Sequence, residues 1–183
     1  MMSVDLSTFS NPTFSHGKSI VVRMLWMLVS RLFFNTWVPY PSTLKAIILR
    51  LFGAKVGKGL VIRTHVRIKQ PWRLSIGDHV WIGESVWIDN LVQVAIASNV
   101  CLSQGAFLLT GNHDYKSTSF DLITGEIYLE LGVWIGAKAL VGPGVRCMSH
   151  SVLAAGSTTF KDLESNKIYQ GNPAEVKRPR QIC

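Results

Sequence analysis

His113 is the one histidine of five that lies inside a long irregular stretch, Leu109-Thr-Gly-Asn-His-Asp-Tyr-Lys-Ser-Thr-Ser-Phe-Asp-Leu-Ile-Thr-Gly-Glu. An imidazole has an unperturbed pKa of about 6.5, so it can take a proton from a hydroxyl near neutral pH. Asn112 and Asp114 flank it and are candidates for holding an acceptor. Asp114 is also placed to orient the ring, although adjacent side chains on an extended chain point apart. Asn90 stands earlier, in another irregular step of the chain. It is a candidate for binding acceptor hydroxyls. Its alternative is a turn asparagine, a residue that tolerates left-handed geometry. Zinc-hydroxide chemistry of the three-histidine kind needs two histidines five apart. The residue five after His113 is Thr118, and no histidine pair has that spacing. Cys101, Cys147 and Cys183 form an odd set without paired spacing, so no metal site and no disulfide framework is read.

The element that must position these residues is a repeat. Fifteen mostly apolar positions recur nearly always six apart: Val56, Ile62, Ile68, Ile76, Ile82, Ile88, Ile96, Leu102, Leu108, Leu129, Ile135, Val141, Cys147, Leu153 and Thr159. A second column follows four places later, at Leu60, Val66, Val80, Val86, Val92, Val100, Ala106, Val133, Ala139 and Val145. A period of six suits neither a helix nor an isolated strand. It suits a hexapeptide parallel β-helix, an all-β prism in which three short strands make one coil. Coil starts at Val56, Ile76, Ile96, Leu129 and Cys147 give five coils, about 25 Å of stacked strands. Both columns are expected to point inward, since alternate residues share a face.

Three steps are not six. Ile68 to Ile76 is eight, Ile88 to Ile96 is eight, and Leu108 to Leu129 is twenty-one. All fall in the third hexad of their coil, so every insertion leaves the prism at one edge, the usual place for function in such repeats. Asn90 and His113 therefore share that edge. His65, His79 and His150 each follow a column residue by three and read as solvated corner residues.

Three domains are expected: an N-terminal extension over 1–54, the prism over 55–163, and a tail over 164–183 packed along the prism. The stretch Ile20–Val38 is strongly apolar but holds Arg23 and Arg31, which argues for an amphipathic helix over a spanning one. Ser42 reads as the N-cap of a second helix, with Leu44, Ile47, Ile48 and Leu51 on one face and Gly53 as its stop. These helices either cap the prism or touch a membrane surface. Charged residues are only 16% of the chain, which suggests that part of the surface is covered by another subunit. The net charge of +8 fits work near an anionic surface or polyanionic ligand. No nucleic-acid motif accompanies it. Cysteine usage points to a reducing compartment.

The segments Leu51-Phe-Gly-Ala-Lys, Pro71-Trp-Arg-Leu, Trp81-Ile-Gly-Glu, Trp87-Ile-Asp-Asn-Leu-Val, Leu108-Leu-Thr-Gly-Asn-His-Asp-Tyr, Val133-Trp-Ile-Gly-Ala and Gly171-Asn-Pro-Ala carry a resemblance. The chain resembles the hexapeptide-repeat acyltransferases, and within them the O-acetyltransferases of colanic-acid and related exopolysaccharide biosynthesis. The resemblance implies a left-handed parallel β-helix, a homotrimer, and acetyl-CoA in the groove between adjacent prisms. It implies His113 as general base on a hydroxyl of a sugar or lipid-linked sugar. It implies coenzyme contacts at Trp134, Ala137, Ala155, Lys161 and Arg178, the second through its main chain. Glu175 departs from a position that is often basic in similar enzymes, and Lys177 beside it is the substitute. A cytoplasmic enzyme is implied, with peripheral contact at the inner membrane left open. The alternative is a non-catalytic prism serving as scaffold or docking protein.

Overall fold

The computed structural model describes residues 3–9, 11 and 14–182; Cys183 lies outside the described residues. Strands of two or three residues follow one another around three faces. The first face is the parallel ladder Lys55–Val56, Leu74–Ile76, Val94–Ile96, Ile127–Leu129 and Arg146–Cys147. The second runs Val61–Ile62, Trp81–Ile82, Cys101–Leu102, Trp134–Ile135, Val152–Leu153 and Lys167–Gly171, with Ala174–Pro179 added antiparallel at its end. The third runs Arg67–Ile68, Trp87–Asp89, Phe107–Leu109, Leu140–Val141 and Thr158–Thr159. Each strand pairs with the one a coil later, so residues of the first repeat column lie in register: Ile62 beside Ile82, Ile82 beside Leu102, Leu102 beside Ile135.

The inward columns form the core. Fourteen of the fifteen first-column residues are buried; Val56, on the open first coil, is only half-buried. Cys147 is fully buried, and burial pushes its thiol well above the usual range, so it acts as a small apolar filler. The second column is corrected at Val92, which is half-buried while Val94 takes the inward place. The two extra residues of that step shift the phase, and Leu74 and Ile127 do the same in the other long steps. These three stack in register.

Five full coils are followed by a partial sixth. Leu163 bridges to Cys147, and Lys167–Gly171 pairs parallel to Val152–Leu153. Tyr169 closes the core there and its hydroxyl accepts from the N–H of Glu164 at 3.0 Å. The faces thus continue beyond residue 163, and the remaining tail folds back as a hairpin strand.

Helix α1 spans Ile20–Phe33 and is capped by Ser19, whose hydroxyl accepts from Val22. It ends five residues before Val38, where the pre-proline position disfavours helix. Trp26 anchors it, donating from Nε1 to the Ile68 carbonyl at 2.9 Å. Helix α2 spans Ser42–Leu51. Its N-cap is Pro41, not Ser42; the Ser42 hydroxyl instead accepts from the N–H of Ile62 at 3.0 Å and ties the helix to the first coil. The face expected from Leu44, Ile47, Ile48 and Leu51 is also corrected. Only Ile48 of these is buried, with Lys45, Ala46 and Leu49, while Leu44, Ile47 and Leu51 are exposed. The buried Lys45 ammonium donates to the Arg63 carbonyl at 2.7 Å, and its burial pushes its pKa down. Gly53 stops the helix at a φ of +94°, which favours glycine. No helix among the described residues is long and apolar enough to cross a membrane.

Candidate active site

All three long steps leave at the corner between the third and first faces, since each joins a third-face strand to a first-face strand. The longest forms a hairpin in which Gly111–His113 pairs antiparallel with Leu122–Thr124, His113 opposite Leu122. Its base rests on the previous coil. The Leu91 Cδ1 lies 2.6 Å from where a Cβ on Gly111 would stand, so a larger residue there would displace the end of the Leu91 side chain. Buried Thr110 joins the two coils, donating to the Asp89 carbonyl and accepting from the N–H of Leu91, both at 2.8 Å. The hairpin tip is closed by Asp121, whose carboxylate accepts from the hydroxyls of Ser117 and Ser119.

His113 is half-buried on this hairpin. Its Nδ1 lies 2.8 Å from the carbonyl oxygen of Phe120, and the Phe120 ring stacks on the imidazole at 4.4 Å. A carbonyl only accepts, so Nδ1 carries the hydrogen and the neutral ring keeps its lone pair on Nε2. That is the form a general base needs. Phe9 packs against the imidazole, tilted, with ring centroids 5.8 Å apart, and Asn11 accepts from the N–H of Leu122. Phe120, Phe9 and Asn11 were absent from the sequence-derived site. Phe120 and the two N-terminal residues carry no repeat signal; the hairpin brings back Phe120, and bonds from Asp5 and Asn11 to the hairpin hold the N-terminal segment beside it.

The neighbours differ from expectation. Asp114 makes no hydrogen bond to the imidazole among the described residues; its Oδ1 accepts from the N–H of Lys116 at 2.9 Å in a local turn, and the Phe120 carbonyl takes the orienting place. Asn112 is exposed beside His113, its Oδ1 accepting from the His113 N–H. Asn90 is fully buried. Its Oδ1 accepts from the N–H of Gln70, and its Nδ2 donates to the carbonyls of Gln70 and Arg73 at 2.6 and 3.1 Å. Expected at the acceptor, it instead brackets the corner with its amide turned inward to main chain. His79 and His150 are corner residues that lie over Gly59 and Gly132 of the preceding coil; a Cβ on either glycine would come within 2.4 Å of the ring.

The residues expected at the coenzyme form a separate group. Trp134 is 45% exposed on the second face, its Nε1 donating to Ser103 Oγ at 2.9 Å. Register places Trp134, Val152, Ile168 and Arg178 in one outward row. Three strand spacings separate its ends, about 14 Å. Ala137 and Ala155 follow Trp134 and Val152 at the corner between the second and third faces, and the Ala137 carbonyl accepts from Gly156. The Ala137 N–H has no hydrogen-bond partner among the described residues. Lys161 is exposed at the other edge, the histidine corner, apart from this group. Within one chain, a whole prism face, up to about 20 Å for six extended residues, separates His113 from Ala137. No cluster of potential metal ligands occurs among the described residues.

No protein-family model matches the chain. It is 38% identical over 178 residues to the colanic acid biosynthesis acetyltransferase WcaF of Escherichia coli K12, covering 96% of this chain and 97% of that protein. The chain belongs to that acetyltransferase family. A hexapeptide-repeat acetyltransferase of Vibrio cholerae O1 biovar eltor, solved with acetyl coenzyme A, superposes with a TM-score of 0.81 at 20% identity, over 96% of this chain and 97% of that one. A galactoside acetyltransferase solved with coenzyme A superposes at 0.77 and 22% identity, over 88% and 82%. The family's fold is the left-handed parallel β-helix, so the coils wind against the right-handed crossover rule. The hexapeptide columns are this family's architecture as built in this chain.

Proposed function

We propose that the protein moves the acetyl group of acetyl-CoA to a hydroxyl of a sugar or lipid-linked sugar intermediate in exopolysaccharide assembly, with His113 as general base. The observation that carries this reading is the Phe120 carbonyl at Nδ1 of His113, which leaves Nε2 free to accept a proton. The acceptor hydroxyl loses its proton to Nε2 as its oxygen attacks the thioester carbonyl. The C–S bond breaks, the acetyl ester forms, and the imidazolium returns the proton to the thiolate. Thiolate leaves readily, so no covalent enzyme intermediate is required. The unpartnered N–H of Ala137 suits a donor to the developing oxyanion. Trp134 and the row ending at Arg178 suit the pantetheine arm and the phosphates. Exposed Asn112 suits contact with the acceptor.

His113 and Ala137 stand at different corners of one prism, which supports a homotrimer whose sites lie between copies. Acetyl-CoA is a cytoplasmic metabolite, and the reaction belongs in that compartment, at its membrane face where a lipid-linked acceptor would sit. The test is to incubate the protein with acetyl-CoA and a panel of nucleotide sugars and lipid-linked sugars, following free thiol. A productive acceptor should raise thiol release by orders of magnitude, and His113→Ala should remove about 10²–10⁴-fold of it. Release that no sugar stimulates, and that ignores His113→Ala, would leave the prism a scaffold.

A further inference from the structure

The N-terminal part of the molecule carries a pattern that acetyl transfer does not use. Between residues 6 and 77 there are eleven lysines and arginines and no aspartate or glutamate; the rest of the chain holds eight against eleven. Helix α1 packs on the prism through Trp26, with Val29 and Phe33 beside it. Its opposite side is apolar and open. Val21, Met24, Leu25, Met27, Leu28 and Leu32 are each between 52% and 70% exposed. Positions 21, 25, 28 and 32 lie on one helical stripe, and Ile20 and Trp37 extend the exposed apolar surface nearby in sequence. An apolar face of this kind marks an interaction site.

Directly under α1 a cleft of about 530 Å³ opens toward the third face, lined by Arg23, Arg31, Arg67 and Lys69 with the indoles of Trp26 and Trp72. Lys69 is paired with Asp89 at 2.8 Å, whereas the three arginines have no carboxylate partner among the described residues. Arg67 lies over the Trp87 ring at 4.3 Å, which places its guanidinium without neutralising it. His16, on the same rim, is held below its ordinary range by burial first and then by the charges of Arg23, Arg73 and Lys69. The cleft is thus a concentrated positive site beside an apolar stripe.

A second copy of this surface would bring like charges together. An anionic bilayer supplies both an apolar layer and the counter-charge. At fourteen residues α1 is too short to span, and it is built to lie along the interface. We propose that α1 docks the protein on an anionic lipid bilayer, its outer stripe among the acyl chains and a headgroup phosphate seated between Arg23, Arg31 and Arg67. The docking does not depend on the acetyl-transfer chemistry.

The test is co-sedimentation of the full chain with vesicles of phosphatidylcholine, alone or with about a third phosphatidylglycerol. The wild type should partition at least about tenfold more strongly onto the anionic vesicles, less so as salt rises. Leu25→Glu with Leu28→Glu alters only exposed side chains. It should cut partitioning about tenfold or more while thermal stability stays unchanged. Arg31→Gln with Arg67→Gln should weaken binding to anionic vesicles and leave the weak binding to neutral ones alone. His113→Ala should bind as the wild type does, so a failed acetyl-transfer reading and a failed docking reading are told apart. The proposal is overturned if the wild type ignores anionic vesicles or if the leucine pair can be replaced without effect. It is equally overturned if that replacement changes the sedimenting mass of the lipid-free protein, which would make a second copy the occupant. Inorganic phosphate binding in the cleft of a protein that does not bind vesicles would overturn it too.

Discussion

Nδ1 of His113 stands 2.8 Å from the main-chain oxygen of Phe120, and the two rings lie 7° from parallel. One residue therefore sets both the tautomer and the orientation of the imidazole. Phe120 does this from a φ of +54°, a left-handed conformation that is strained for a bulky side chain and costs on the order of 1–3 kcal/mol.

Substitution at Phe120 separates the two contributions. Phe120→Ala keeps the carbonyl and removes the stack, so kcat should fall about tenfold while KM for acetyl-CoA holds, the expected split for a positioning defect. Phe120→Gly loses the same stack and also relieves the φ cost. It should therefore melt higher than Phe120→Ala by on the order of 2–4 °C. Equal melting temperatures would mean the conformation is not strained.

A site shared between copies predicts complementation. His113→Ala and Trp134→Ala should each be nearly inactive alone. Co-expressed and randomly mixed, they should recover up to about a quarter of wild-type thiol release, because some sites then pair an intact His113 with an intact Trp134 from the neighbouring copy. No recovery would place both residues of a site on one chain.

Asn90 should behave as a structural residue. Asn90→Ala leaves the N–H of Gln70 and the carbonyl of Arg73 without a partner inside the fold, while the Gln70 carbonyl keeps the N–H of Arg73. At about 1–3 kcal/mol for each unsatisfied buried group, and allowing for partial relaxation, the melting temperature should drop by on the order of 5–15 °C. KM for the acceptor, measured on the folded fraction, should not move. A raised KM with unchanged melting would restore a substrate role.

Glu130 couples stability to pH. Burial alone would raise its pKa. The bonds it accepts from the hydroxyl and N–H of Ser149, each at 3.0 Å, and from Arg146 at 3.3 Å outweigh that and hold the carboxyl below its usual range. A lowered folded-state pKa stabilises the fold above the unfolded carboxylate pKa, and this contribution is lost as pH falls through the folded value. Because Glu130 is 34% and Arg146 45% exposed, solvent screens the pair and the contribution is under about 1 kcal/mol, or roughly 2–4 °C. Glu130→Gln should melt lower than the wild type at neutral pH, and the two should converge as pH falls through the lowered folded-state value, below the ordinary carboxylate range. Thermal melts across that range check it.

The hexapeptide columns alone determined the prism, its corner of insertions and the isolation of His113 in the long excursion. Burial on a short strand follows local alternation, so Ile82, Leu102 and Ile135 could be placed inside from spacing alone. The same local rule fails where residues distant in sequence decide. Val92 yields to Val94 because two inserted residues change the phase at a corner. Ser42 leaves the cap position because Ile62 of the first coil offers it a partner. Asn90 turns inward because the N–H of Gln70 and the carbonyl of Arg73 need partners across the corner. Leu163 and Tyr169 extend the core into a sixth turn; they stand six apart, but Leu163 follows Thr159 by four and falls out of step with the first column. Above all, the tautomer of His113 rests on Phe120, seven residues away and brought back by the hairpin register, and the open apolar face of α1 exists because Trp26 claims the other side for the prism. Periodicity reports which way a side chain points along its own strand; what it meets there is a property of the folded chain.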